Sequence, residues 1–105
     1  MGDTVVAASK SKQDFCAKQL RVLADPTRLT IVRVLMAGPQ HVGKLNEQIE
    51  IDQSLLSHHL RILRDSGLVV SERDGKAVLY RLAPDVKGTT RSRGIQLGCC
   101  VLSFE

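Results

Sequence analysis

The chain has 105 residues, enough for one small domain whose core supplies only modest stability. Aromatic residues make up 3% with no tryptophan, so an aliphatic core is expected, and a net charge of +4 suits a polyanionic partner without approaching a histone-like tail. No run approaches the ~18 apolar residues of a membrane span, and Met1–Lys12 lacks the apolar stretch of a signal peptide, so a cytoplasmic protein with no membrane partner is expected.

Residues 1–10 are small and polar and read as a disordered arm, residues 11–84 as the folded domain, and residues 85–105 as a tail. From Ser11 onward, Phe15, Leu20 and Leu23 lie on or near one face of an amphipathic helix. In "LADPTRLTIVRVLMAGP", Asp25 is a helix N-cap with Pro26 at the first helical position, and Leu29, Val32, Leu35 and Met36 form the inward stripe. Gly38–Pro39 ends that helix. A short third helix over Val42–Gln48 should bury Val42, Leu45 and Ile49.

Asp52 caps a fourth helix, Gln53–Ser66, with Leu56, Leu60 and Leu63 at core spacing and Gly67 as its stop. "LVVSERDGKAVLYRL" carries β-forming runs on both sides of Asp74–Gly75, a strong hairpin-turn signal. After Pro84, "DVKGTTRSRG" reads as a linker. The closing "IQLGCCVLSFE" has little helix propensity and reads as extended. Helices followed by a capped amphipathic helix and a β-hairpin are the order of a winged helix-turn-helix, mainly α with a β-hairpin wing.

Three stretches, "LADPTRLTIVRVL", "SLLSHHLRILRDSGLV" and "RDGKAVLYRL", closely resemble the ArsR/SmtB family of bacterial metal- and metalloid-responsive repressors. The resemblance covers roughly residues 13–83, and its most specific part is the Ser-His-His-Leu run followed by Leu-Arg-Asp-Ser-Gly-Leu-Val. It implies a homodimer that binds an imperfect inverted repeat in double-stranded operator DNA. A recognition helix presents its N-terminal residues to base edges in the major groove. Gln53, Ser54, Ser57, His58 and Arg61 lie opposite the leucine stripe or flank it, and their hydroxyls, amide, imidazole and guanidinium suit bases and phosphates. Arg73 and Lys76 flank the hairpin tip, where a wing meets the minor groove or backbone. A polar helical face is ordinarily solvated surface, and here the helix-turn-helix context favours DNA. His58 is therefore expected to face DNA, and His59, turned ~100° around the helix, to pack at the edge of the core. Neither is expected to bind metal.

Three cysteines, Cys16 and the adjacent Cys99 and Cys100, are too few and too uneven for a secreted disulfide framework, so free thiols are expected. The resemblance directs attention to family sensing sites. One uses Asp, His and Glu on the last helix, but no histidine follows His59; another uses cysteines on the third helix, and "VGKLNEQIEID" has none. What remains is Cys16 with the vicinal pair Cys99–Cys100. Three thiolates suit a soft three-coordinate ion, trivalent arsenic or antimony, as inducer, with no obligatory cofactor. The bland reading is three buried, inert side chains. On a strand, Cys99 and Cys100 would point to opposite faces, while on a helix they would lie close enough to share an ion. A redox switch joining Cys16 to a tail cysteine, and a winged helix that binds protein in place of DNA, stand as alternatives. An enzyme is not expected: the histidines lie on or beside the DNA-reading helix, and no phosphate loop or carboxylate pair stands out.

Overall fold

A computed structural model describes residues 3–87 and 93–104, with side chains from residue 13 onward. Helices α1 (Asp3–Leu23), α2 (Pro26–Met36), α3 (Val42–Ile49) and α4 (Gln53–Asp65) are interrupted once, by the two-residue strand β1 (Gln40–His41). Strands β2 (Val69–Asp74) and β3 (Ala77–Leu82) follow, and β4 (Gly94–Gln96) and β5 (Val101–Ser103) close the chain. This is the expected winged helix-turn-helix.

The caps explain where the central helices begin. The Asp25 side chain accepts from Arg28 N at 3.0 Å with Pro26 inside the first turn, and Asp52 Oδ2 accepts from Ser54 N at 3.0 Å. Leu56, Leu60 and Leu63 of α4 are essentially inaccessible, and they meet Ile31, Val32 and Leu35 of α2, Leu45 of α3 and Leu68 and Val69 in one aliphatic core. Burying these side chains is the main stabilisation of the domain, at about 1.5–3 kcal/mol each.

The wing is antiparallel, pairing Val69 with Leu82 through Asp74 with Ala77. The turn is therefore Gly75–Lys76, one place later than the sequence suggests, with Gly75 at φ 66 in the first central position that a two-residue hairpin reserves for glycine. β1 pairs with β3 and makes the sheet three-stranded, in the order β1-β3-β2. A two-residue strand carries too little pattern to be read from sequence.

The start of α1 departs from expectation. Helix begins at Asp3, so the segment expected to be a disordered arm is helical backbone from that residue on; "DTVVAASKSK" contains no glycine or proline to break it. Within α1 it is Gln19 and Leu23 that face the domain, while Phe15 and Leu20 stand 53% and 41% exposed. Gln19 Nε2 donates to the Ser66 carbonyl at 2.9 Å, which fixes α1 against the C-terminus of α4.

The tail is extended, as expected, and it is also core. β4 and β5 form a hairpin pairing Ile95 with Leu102, and Gln96 N donates to Val86 O at 2.8 Å. Ile95 is fully buried and Leu97 nearly so. Gly94 is required where it stands, since a Cβ there would run into the Leu102 carbonyl. The Arg33 guanidinium lies 5.4 Å over the Phe104 ring, tying the end of the hairpin to α2. Residues 88–92 of the expected linker lie outside the described residues; just before them, Val86 is buried.

Candidate nucleic-acid interface and sulfur site

Capping by Asp52 and burial of the leucine stripe leave α4 one free face. Gln53, Ser54, Ser57, His58 and Arg61 are all exposed on it. Ser54, Ser57, His58, Arg61, Arg64 and Tyr80 line an open depression of about 420 Å³. Hydroxyls, an imidazole and two guanidinia converge there, a donor-rich surface suited to phosphate oxygens and base edges. Arg64 and Tyr80 were not singled out from sequence. Arg64 is three residues beyond Arg61, so helical spacing carried the signal. Tyr80 reaches the depression from β3, and only the packing of wing on helix brings it there.

His59 behaves differently from its neighbour. It is 7% exposed, and Arg28 Nη1 donates to its Nδ1 at 3.2 Å while Arg28 Nε donates to Val22 O at 2.7 Å. A guanidinium only donates, so Nδ1 must accept and the ring proton sits on Nε2. His59 is thus a core-edge bracket between α2 and α4, as its position on the helix predicts. The backbone N–H of Arg28 donating to Asp25, and then the nearby Arg28 guanidinium, outweigh burial and hold the Asp25 carboxyl below the usual carboxylate range.

Arg73 and Lys76 are exposed on either side of the wing tip. Between them, Asp74 Oδ2 accepts from His41 Nε2 at 2.8 Å, anchoring the tip to β1 at the entrance of α3. The wing and the helix-turn-helix are therefore held as one surface.

At the other end of the molecule the structure gathers all three cysteines. Cys99 and Cys100 lie neither in a helix nor in a strand but in the turn joining β4 to β5, where Gly98 takes φ 90, Gly98 N donates to Gln96 Oε1 and Leu97 N donates to Cys100 O. The bend removes the strand alternation that would have sent the two sulfurs to opposite faces. Cys16 of α1 and Cys99 form a disulfide with a Cα–Cα distance of 6.0 Å. This corrects the expectation of free thiols, which rested on compartment alone and not on the proximity that folding creates. Cys100 is free and exposed, its Sγ 3.6 Å from Cys16 Sγ and 3.7 Å from Cys99 Sγ.

The sulfur atoms all lie within 4.8 Å of one another. Thiolate–metal bonds of about 2.3 Å place two ligands of one ion no more than about 4.6 Å apart, so three thiolates gathered here would suit a soft ion once the Cys16–Cys99 bond is reduced. The oxidised site does not, because two of its sulfurs are bonded to each other.

An exposed, capped helix beside a paired β-hairpin defines the winged helix-turn-helix class. Residues 25–71 match the family described as "Bacterial regulatory protein, arsR family". A biofilm growth-associated repressor of Agrobacterium fabrum is 35% identical over 85 residues, covering 81% of this chain and 73% of that protein. The regulator NmtR of Mycobacterium tuberculosis is 47% identical over 66 residues, covering 63% of this chain. Reduced HlyU from Vibrio cholerae superposes with a TM-score of 0.69 at 32% identity, covering 72% of this chain and 80% of that one. The chain belongs to the ArsR/SmtB family of bacterial regulators. It spans 55% of the length of NmtR.

Proposed function

We propose that the protein is a DNA-binding transcriptional repressor, a homodimer that holds an imperfect inverted repeat until a thiol-reactive inducer acts at Cys16, Cys99 and Cys100. The observation that carries the DNA reading is the free donor-rich face of α4 beside an anchored wing. Gln53, Ser54, Ser57, His58 and Arg61 read bases and nearby phosphates, Arg64 and Tyr80 extend that surface, and Arg73 and Lys76 grip the backbone. The regulators among its relatives support this role and not an enzyme's. One recognition helix reads too few base pairs for useful affinity, so a two-fold dimer sets the half-site spacing. Exposed Phe15, Leu20 and Val101 supply apolar surface for that dimer along α1 and the tail.

Among the described residues, no helix is long and apolar enough to cross a membrane. DNA binding is tested with Ser57→Ala combined with His58→Ala, which should abolish preference for the operator while leaving the fold intact. Arg73→Ala or Lys76→Ala should weaken binding evenly across sequences and flatten its salt dependence. Wing variants that lose specificity as completely as the α4 variant would reverse these roles. Absence of salt-dependent binding to any duplex would instead favour a winged helix for protein partners.

For the inducer, the favoured class is a trivalent arsenic or antimony species, which Cys16, Cys99 and Cys100 would hold as three thiolates. Such a bound ion would cross-link α1 to the tail hairpin. If that form disfavours DNA, operator binding weakens by the same coupling factor, ~1–3 kcal/mol or roughly 5- to 150-fold. The Cys16–Cys99 disulfide supports a second reading, in which oxidation makes the same cross-link. Titrating the operator complex with arsenite, antimonite, zinc, cadmium and an oxidant separates the two. Release by arsenite that disappears in Cys99→Ser and Cys100→Ser supports the metalloid; release by oxidant alone, lost in Cys16→Ser, supports the redox switch. Arsenite release that persists in both tail variants places the metalloid site elsewhere, and oxidant release that persists in Cys16→Ser does the same for the redox switch.

A further inference from the structure

The Cys16–Cys99 disulfide leaves beside it a third sulfur that it does not use. Cys100 Sγ lies 3.6 Å from one sulfur of the bond and 3.7 Å from the other, on an exposed turn. Disulfides exchange by attack of a thiolate on one of their sulfurs, and here nucleophile and electrophile share one hairpin. Holding both in place makes the encounter unimolecular. We propose that Cys100 exchanges with this disulfide, so that the oxidised site interconverts between Cys16–Cys99 with Cys100 free and Cys16–Cys100 with Cys99 free.

The step balances within the site. Cys100 gives its proton to solvent, and its thiolate forms a bond to Cys16 Sγ. The Cys16–Cys99 bond breaks, and its electron pair leaves on Cys99 Sγ, which then takes up a proton. One disulfide and one thiol stand on each side, so no oxidant or reductant is needed. The near-equal distances put Cys100 beside the S–S bond, not in line with it, so its side chain must swing before attack. An exposed residue on a turn has room to do so. Attack at Cys99 Sγ would instead free Cys16 and close the vicinal pair into a small ring across one peptide bond, a strained product. Exchange therefore runs through Cys16, keeps α1 tied to the tail in both isomers, and alternates which tail thiol meets solvent.

The inference rests on the sulfur-site part of the proposed function, and its test reads sulfur connectivity without DNA, so either can fail alone. The full chain is oxidised with diamide, quenched in acid, and its disulfide isomers are separated in acid, where thiolates are scarce. Each isomer is returned to mildly alkaline buffer, and its free thiol is alkylated and located by peptide fragmentation between Cys99 and Cys100. Either isomer should relax to the same mixture of labels, at a rate independent of protein concentration. A label that stays on one cysteine overturns the proposal, and so does a rate proportional to concentration, which marks exchange between molecules. Cys99→Ser is the second arm. It should form an intramolecular Cys16–Cys100 bond on oxidation, and a variant yielding only free thiols or linked dimers overturns the proposal equally.

Discussion

Helix α4 and the β4–β5 hairpin are both built on fully buried aliphatic side chains, yet they carry their information differently. In α4, the cap Asp52, the stripe Leu56, Leu60 and Leu63 and the free polar face all follow from one helical period. In the hairpin, Ile95 is as buried as that stripe and Leu97 nearly so, but three-residue strands around a glycine turn display no period long enough to read. A segment can therefore be essential to the core and nearly silent in sequence.

Truncating one core residue in each region tests whether they are energetically equal. Leu60→Ala and Ile95→Ala, at 1% and 0% exposure, should each cost about 2–5 kcal/mol, read from urea denaturation midpoints. A cost for Ile95→Ala well under about 1 kcal/mol would make the hairpin an appendage. The second test addresses how the hairpin is held. The disulfide joins residues 83 apart in sequence, so reducing it should lower stability by about 2–4 kcal/mol, while the same reductant should leave Cys16→Ser unchanged.

Gly94→Ala is a smaller probe of the hairpin. The new Cβ meets the Leu102 carbonyl, so a strand must shift, at about 1–3 kcal/mol, whereas alanine at Gly43 of α3, where nothing lies close, should be neutral or mildly stabilising. Differential denaturation of the two variants gives the comparison. The smallest effect belongs to the helical half: Asp25→Ala should cost about 0.5–2 kcal/mol through loss of the α2 cap. Because the folded-state pKa of Asp25 is lowered, its ionic contribution is present above the unfolded value of about 3.9 and fades as pH falls through the lower folded value. The stability gap between wild type and Asp25→Ala should therefore narrow in acid, and Asp25→Asn should show no such pH dependence of its own.

The candidate sites divide along the same line. Gln53, Ser54, Ser57, His58 and Arg61 were legible because a helix has a fixed period, and the opposite treatment of His58 and His59 followed from their ~100° separation. Arg64 obeyed the same rule and was overlooked; Tyr80 obeyed none, since its approach depends on how β3 packs against α4. The inward face of α1 differs from expectation because Phe15 and Leu20, about 140° apart on the helix, flank the Gln19–Leu23 line that packs on the domain and are left largely uncovered.

The sequence alone determined the elements whose causes are local: the Asp25 and Asp52 caps, the leucine stripe of α4 and the β-runs of the wing. Chain proximity decided everything that joins distant residues. The three sulfurs meet only because Ile95 and Leu97 bury the tail against the domain and Gly98 turns the chain back toward α1, more than eighty positions from where Cys16 sits in the sequence. Such a contact depends on long-range packing, which local propensity and periodicity do not encode.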